Sequence, residues 1–376
     1  MTTHMDDLSL LKDIVSKLPL APGEEVVVES LLSGGVVSVV GKGHFLKDGE
    51  RIPVAIKHTK KEIALNDKFS PLESRNILKY AASTQHVDAQ ILTHLQSNPH
   101  TQVPKVISYY EKERVTVLRD FGADGYTLFQ DAIVAGNRLQ PHTFVQIGVM
   151  LANLRKEMVA MKHIEGVENR ELQIEERTDE LRVSLYNGRM GFYNKIWHAL
   201  LDEKKSTFTW TDGHPKNMAI NKKGDVVIFD FGRSIWCDPE YPVANFIGQI
   251  YLFALTGSIK PQEAISFSEE LVRSYKKTYA ILTSSEDVLN ERNLVWYLTA
   301  ELAHRGKTMR WIDPKLVKLD ETRVKSAVDH LVDIVFDRKN PVETLADFEH
   351  KFLQIAKHLH DKEETYLRPS ISSLNS

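Results

Sequence analysis

Apolar, β-branched residues fill three short runs between residues 25 and 59. The runs are EVVVESLL, VVSVVGKGHFL and IPVAIKHT, with Gly34-Gly35 after the first and Asp48-Gly49 after the second. β-Branched residues favour strands, and Gly-Gly and Asp-Gly pairs are typical of hairpin turns. The pattern therefore predicts a three-stranded antiparallel meander.

Helical spacing follows over residues 72–97, where Ile91, Leu92 and Leu95 fall on one face, with a possible break near residues 83–84. Two further strand-like runs, VPKVISYY and RVTVLRDF, come next. Five strands and one helix would make a compact lobe that ends near Asp120.

The remainder of the chain has mainly helical patterning. The stretch HTFVQIGVMLANLRKEMVAM places its apolar residues on one helix face, and another helix is predicted over 180–204. The run AINKKGDVVIFD predicts a hairpin that turns at Lys223-Gly224, and residues 241–361 predict four or five amphipathic helices. The predicted organisation is a helical extension (1–24), a β-rich lobe (25–120), a helical lobe (121–365) and a disordered tail (366–376).

Composition narrows the class of protein. The chain has 376 residues, 42% of them hydrophobic, and a net charge of −3. The weak charge disfavours nucleic-acid binding, which needs a basic surface. The single cysteine, Cys237, excludes an intramolecular disulfide and fits a reducing compartment. The amphipathic start is unlike a signal peptide, and no apolar run is long enough to span a membrane, so a cytoplasmic protein without a membrane partner is expected.

Two features of the predicted β-rich lobe could hold phosphate groups. Ser33, Gly34 and Gly35 lie between two strands, where glycine lets the backbone approach a phosphate; an ordinary hairpin turn is the alternative. Lys57 ends the apolar run Val54-Ala55-Ile56, where a lysine can hold the phosphates of a nucleotide. A solvated lysine at a strand end is the alternative there.

Two more features lie in the second half of the chain. Asp212 precedes Asn217 by five residues in DGHPKN, the spacing of a loop in which the aspartate accepts a proton and the asparagine holds a metal. Asp230 follows the apolar strand VVIF and could bind Mg²⁺. Turns without a ligand are the alternatives for both, but the order and spacing of all four features favour phosphoryl transfer.

These motifs resemble the aminoglycoside phosphotransferase and choline kinase superfamily, and within it the methylthioribose kinase-like branch. The resemblance runs from about residue 25 to about 335 and includes LSGGVVSVV, VPKVISYYEKERVTVLRDF, DGHPKN and VVIFDFGRSIWCDPEYPVANFIG. It implies an α+β, two-lobed protein-kinase-like fold. The expected activity is ATP-dependent, Mg²⁺-requiring phosphorylation of a hydroxyl group on a small molecule.

The resemblance also implies roles for individual residues. Lys57 would bind phosphate, Asp212 would be the catalytic base, and Asn217 and Asp230 would hold the metal. The backbone of a hinge from Leu118 through Arg119 to Phe121 would hold adenine. Lys57 would be oriented by a helix acid, for which Asp88 aligns best and Glu73 is the alternative; a solvated surface acid would explain either equally well.

The chain departs from the family at two points. The helix acid is usually Glu, which is one methylene longer than Asp88. Where the family commonly has His-Gly-Asp, this chain has Trp210-Thr211-Asp212, which leaves the geometry of the loop open.

The substrate site is the least defined part of the sequence. Basic residues near 305–310 lie on a predicted helix end, where favourable interaction with the helix dipole is the simpler explanation. In the methylthioribose kinase-like branch, similar residues reach substrate hydroxyls, which would favour a sugar-like or anionic acceptor. A polycationic acceptor would need an acidic pocket. Asp238 and Glu240 are the nearest acids that could form one, but they could instead be structural or metal-linked. The candidate substrate residues are Lys216, Asp238, Glu240, Arg305 and Arg310.

Three other functions fit less well. Only seven residues separate Asp230 from Asp238, too few for the activation loop of a protein kinase. A catalytically silent ATP-binding protein is the alternative that the two departures slightly favour, but the presence together of Lys57, Asp212, Asn217 and Asp230 argues against it. His358 and His360 are two residues apart and face different sides of a helix, which argues against a shared metal.

Overall fold

The computed structural model of the protein describes residues 6–34, 38–60, 85–136, 139–161, 194, 196, 198–200, 202, 206–285, 288–309, 312–337 and 339–367. Its contacts divide the chain into two compact units. The first comprises Met1–Thr127, Met161–Glu176 and Asn217–Ile235; the second comprises Leu128–Ala160, Arg177–Lys216 and Trp236–Ser376. Each unit therefore gathers segments from distant parts of the sequence.

An antiparallel five-stranded sheet forms the centre of the first unit, with strand order β1-β2-β3-β5-β4. The predicted meander is confirmed, and Asp48 and Gly49 make the turn between β2 and β3 with φ of 50° and 82°. Gly35, in the other predicted turn, lies outside the described residues. The strands are β1 (Glu24–Gly34), β2 (Ser38–Lys47), β3 (Glu50–Thr59), β4 (Val106–Tyr110) and β5 (Val115–Arg119).

Two helices belong to the same unit. The expected N-terminal amphipathic helix is α1 (Asp7–Val15), which buries Leu11 and Val15 in a core shared with the sheet. Asp6 caps it by accepting the Ser9 N–H at 2.8 Å. Helix α2 covers residues 85–95. The first part of the predicted helix, including its possible break, lies outside the described residues.

A hairpin completes the first unit. Strands β8 (Met218–Ile220) and β9 (Val226–Ile228) pair antiparallel, with Met218 opposite Ile228. Gly224 turns the chain with φ of 87°, which glycine tolerates without strain, so the predicted hairpin is confirmed. The two-residue strand β6 (Thr127–Leu128) adds a third strand beside β8.

The second unit is mainly helical. Helix α4 (Pro141–Ala160) buries the whole apolar face that its sequence predicts. Strand β7 (Thr207–Trp210) pairs with β10 (Ser234–Cys237), whose last two residues belong to this unit. The other helices are α3 (Phe129–Val134), α5 (Tyr241–Leu255), α6 (Pro261–Thr283), α7 (Glu291–Thr308), α8 (Glu321–Val335) and α9 (Leu345–Leu367).

Helix α5 corrects one expectation. The prediction of an amphipathic helix is wrong there, because all fifteen residues of α5 are buried. A helix that is apolar nearly all round can be stable only in the interior. Of the helix predicted over 180–204, residues 194, 196 and 198–200 are helical, and most of the others lie outside the described residues. In the part of the chain that the structure describes, no helix has the length and apolarity to cross a bilayer.

Candidate active site

Strand β3 delivers Lys57 to a cluster of opposite charges in the first unit. Val54 and Ile56 are fully buried on one face of the strand, and the two-residue alternation turns Lys57 to the other face. Its Nζ lies 3.0 Å from Asp88 Oδ2 and 2.8 Å from Asp230 Oδ1. The structure thus brings together three residues that are far apart in sequence.

Asp88 connects the lysine to the hairpin. It lies on α2, is 1% exposed, and accepts the Phe231 N–H at 2.7 Å through Oδ1 while Oδ2 accepts from Lys57. One carboxylate therefore holds both β3 and the segment that follows β9. The alternative acid, Glu73, lies outside the described residues.

Electrostatics stabilise this cluster. Burial alone would lower the pKa of Lys57, but the carboxylates of Asp230 and Asp88 outweigh it and raise that pKa. Lys57 is therefore a permanent cation. Burial raises the pKa of the Asp88 carboxyl, while Lys57 and the Phe231 N–H oppose that rise because both stabilise the ionised form.

Asp230 and Asn217 lie at the same end of the β8–β9 hairpin. The Phe229 N–H donates to the Asn217 carbonyl at 3.1 Å, so the next residue, Asp230, lies beside Asn217 across the hairpin. Asp230 has the unusual φ of 63°, and its side chain is 42% exposed. One carboxylate and one amide oxygen suit Mg²⁺, which keeps water and phosphate oxygens as its other ligands.

The predicted hinge comprises the last two residues of β5 and the turn that follows it. Leu118 is 8% exposed, and the Arg119 guanidinium bonds Asp124 at 2.8 and 3.0 Å. The ring of Phe121 stacks on that of Phe229, with centroids 5.1 Å apart. An aromatic pair thus connects the end of β5 to the hairpin.

The glycine-rich segment is described in part. Ser33 and Gly34 end β1, opposite Val40 and Val39 of β2. Gly35 is not among the described residues, so the geometry of the predicted phosphate loop stays untested.

The second unit holds Asp212, in the turn after β7. Trp210 is fully buried and Asp212 is 7% exposed. Asn245 of α5 donates to the Thr211 carbonyl at 3.0 Å, and Gln249 donates to Asn245 at 3.1 Å. A buried helix therefore holds the backbone immediately before the predicted base.

His214 shares this turn. Its Nε2 lies 3.3 Å from Asp212 Oδ1, and its Nδ1 accepts the Lys216 N–H at 3.2 Å. Neither His214 nor Asn245 is among the site residues predicted from the sequence, because that prediction rests on the two ends of DGHPKN. A histidine two residues after the aspartate was a visible signal for the first; nothing local in the sequence indicates the second.

Two candidate substrate cations also lie in the second unit. Burial and the nearby Arg305 lower the pKa of Lys216, against the opposing effect of Asp313 and Asp131. Arg305 is 7% exposed, and its Nε lies 3.5 Å from Glu301. Arg310 lies outside the described residues.

Asp238 and Glu240 are engaged in a buried polar network. Asp238 is 2% exposed and accepts from Asn293 and Tyr297 at 3.0 Å each. Its other oxygen accepts the Glu240 N–H at 2.9 Å, and Glu240 in turn accepts the Asn290 N–H. These partners favour the structural alternative for both acids over a substrate contact.

The fold and a sequence profile define the class of this protein. The β-rich N-terminal and helical C-terminal parts match the protein-kinase-like fold. The sequence profile of the phosphotransferase enzyme family matches residues 72–280, more than half of the chain. The chain belongs to this phosphotransferase family.

Similar solved structures include two choline kinases and one macrolide phosphotransferase. The choline kinase from Streptococcus pneumoniae is 13% identical, with 94% of this chain and 98% of that chain covered and a TM-score of 0.46. The choline kinase from Cryptosporidium parvum is 12% identical, with 95% of each chain covered and a TM-score of 0.41. The macrolide 2'-phosphotransferase from Brachybacterium faecium is 14% identical, with 82% and 99% covered and a TM-score of 0.41. A search of curated protein sequences gave no significant match.

Proposed function

We propose that the protein is an ATP-dependent kinase that transfers the γ-phosphoryl group to a hydroxyl of a small molecule. The observation that carries the proposal is the Lys57–Asp88–Asp230 cluster, in a chain of the phosphotransferase family. A permanent cation oriented by a buried carboxylate is suited to holding nucleotide phosphates.

The chain's own groups would divide the work. Lys57 binds phosphate oxygens, Ser33 to Gly35 cover them, and Leu118 to Phe121 place the adenine. Asn217 and Asp230 would hold Mg²⁺, which when bound neutralises charge on the phosphates. Asp212 orients the acceptor hydroxyl and accepts its proton as the oxygen bonds to the γ-phosphorus and ADP leaves.

A sugar-like or anionic acceptor fits better than a polycationic one. Lys216 and Arg305 are two cations close enough for Arg305 to lower the pKa of Lys216. A cationic acceptor would need an acidic pocket, and the two acids that the sequence offers for one are engaged within the protein, Asp238 with Asn293 and Tyr297 and Glu240 with the Asn290 N–H. Together with the sequence resemblance, this supports a place near the methylthioribose kinase-like branch and an acceptor rich in oxygen.

The test is turnover of Mg-ATP with a panel of sugars, sugar acids, amino alcohols and aminoglycosides, with water as the reference acceptor. Asp212→Asn should lower kcat by about 10²- to 10⁴-fold, the range for removing a positioned base, and leave the affinity for ATP intact. The exposed Asp48 at the β2–β3 turn offers a control variant, Asp48→Asn. Nucleotide binding without any turnover would instead support the silent ATP-binding alternative.

A further inference from the structure

The turn after β7 contains a histidine for which the proposed function gives no role. His214 is 7% exposed, and both of its ring nitrogens face polar groups of the same turn. Burying an imidazole in this way is costly unless its polar atoms are satisfied. Its two contacts therefore indicate what the residue does.

The first contact fixes the tautomer of the ring. The Lys216 N–H donates to Nδ1 at 3.2 Å, so Nδ1 acts as the acceptor and the ring proton lies on Nε2. The second contact is at the protonated nitrogen. Nε2 lies 3.3 Å from Asp212 Oδ1, at the upper limit of the distance over which an N–H can donate to a carboxylate oxygen.

We propose that His214 is a positioning residue for the predicted base Asp212: its Nε2–H holds one carboxylate oxygen so that the aspartate keeps a single orientation towards the acceptor. The inference rests on the proposed function. In this proposal His214 contacts neither the nucleotide nor the acceptor, and its ring takes no proton in the reaction. Its effect is on the geometry of Asp212, to which reaction rates are sensitive.

A structural explanation competes with this one. The contact from Nδ1 to an N–H two residues later has the geometry of an Asx turn, so His214 could serve only to shape the turn. Two substitutions separate these explanations. Asn places an amide oxygen near the Nδ1 position, so His214→Asn keeps the bond to the Lys216 N–H but cannot reach Asp212. Gln places an amide nitrogen near the Nε2 position, so His214→Gln keeps a donor to Asp212.

The experiment measures Mg-ATP turnover, with water as the acceptor, in the full chain and in both variants. If His214 positions Asp212, His214→Asn lowers kcat by up to about 10²-fold at an unchanged KM for ATP, whereas His214→Gln retains most of the activity. The reverse order of the two variants, or equal activity in both, overturns the proposal.

A second comparison uses Asp212→Asn as the background. Residues that act through one another are not additive, so adding His214→Asn should then cause no further loss of kcat. A full additional loss would show that His214 acts independently of Asp212 and would overturn the proposal. If Asp212→Asn itself has wild-type kcat, the proposed function fails instead, and this outcome is distinct from the others.

A measurement on the unmodified protein remains decisive if a variant is unstable. The ¹⁵N chemical shifts of histidine rings distinguish the Nε2–H tautomer from the Nδ1–H tautomer. The His214 signal, assigned by its absence in either variant, should report Nε2–H and should shift in Asp212→Asn. An Nδ1–H ring, or a signal that ignores the Asp212 substitution, contradicts the proposal.

Discussion

Two aspartates, Asp230 and Asp238, each follow a short strand but differ in exposure and in the charge of their partners, and this difference suits them to different roles. Asp230 follows β9, has a side chain that is 42% exposed, and pairs with the Lys57 cation at 2.8 Å. Asp238 follows β10, is 2% exposed, and is held by the neutral donors Asn293 and Tyr297 and by a backbone N–H. A partly exposed carboxylate paired with a lysine side chain can exchange that partner for a metal and phosphate. A buried carboxylate held by neutral donors can only be lost at the expense of stability.

The strongest way to break this comparison is to remove Asp230. Asp230→Ala should abolish Mg²⁺-dependent binding of ATP and lower turnover by at least about 10³-fold, because metal stabilisation of the phosphates is worth several kcal/mol. Titration with Mg-ATP and steady-state kinetics measure both effects. Asp238→Asn is the matched variant at the other strand end. Unchanged Mg-ATP affinity and turnover in Asp230→Ala would remove Asp230 from the proposed site.

Lys57 tests whether the cluster serves the nucleotide or only the fold. Lys57→Met keeps the length of the side chain and removes its charge, and should lower kcat/KM for ATP by about 10²-fold, the effect of losing one preorganised donor. Since the buried Asp88 would lose its cation, thermal unfolding must be followed in parallel. Lys47→Met is the control, because Lys47 is an exposed lysine paired with Glu24 on the same sheet. Wild-type constants in Lys57→Met would mean that the lysine is a structural cation.

The opposite pattern is expected at Asp238. In Asp238→Asn, an amide NH₂ group replaces one of the two carboxylate oxygens. This group would face an N–H or O–H donor of Asn293, Tyr297 or Glu240 and could not accept from it. The free energy of unfolding should therefore fall by about 1–3 kcal/mol. Chemical denaturation measures this loss. The KM for ATP should stay close to that of the unmodified protein. A large fall in turnover with no loss of stability would instead support the sequence prediction that Asp238 contacts substrate.

Much of the first unit could be predicted from local patterns. The meander, the β8–β9 hairpin and the lysine at the end of an apolar strand are all encoded within short segments, because strand alternation and turn chemistry act over a few residues. The burial of α5 was also within reach of local patterns, because Tyr241–Leu255 is apolar nearly all round and a helix without a polar face is stable only in the interior.

The contacts of Asp238 and His214 were beyond such patterns, because they depend on the folded structure. The partners of Asp238 lie 55 and 59 residues away on α7, and only the fold brings them together. The two contacts of His214 are local, but they depend on the ring orientation within a buried turn. Asp88 could be predicted in part. Helical spacing placed it on the correct helix, but only the structure shows that its carboxylate lies 3.0 Å from Lys57 Nζ.

Another buried acid, Glu349, extends the comparison of Asp230 and Asp238, and its substitution has the smallest expected effect. Glu349 on α9 is 7% exposed and, like Asp238, is held by a neutral donor, the Tyr251 hydroxyl at 2.7 Å. Burial raises its pKa from 4.5 to about 7. The folded protein therefore retains a proton that the unfolded chain releases between these two pH values, and stability should decline as pH rises through that window.

Glu349→Gln should remove this decline, because Gln is neutral at every pH and can still accept from Tyr251. The stability of the variant relative to the unmodified protein should rise between pH 5 and pH 8 by on the order of 1 kcal/mol, a value reduced for partial solvent access. Thermal or chemical unfolding at several pH values measures it, with Glu343→Gln as the control at an exposed acid. A pH dependence that is the same in Glu349→Gln and in the unmodified protein would show that Glu349 ionises normally. Neutral donors would then suffice to hold a buried carboxylate in its charged form, and the contrast between Asp230 and Asp238 would rest on exposure alone.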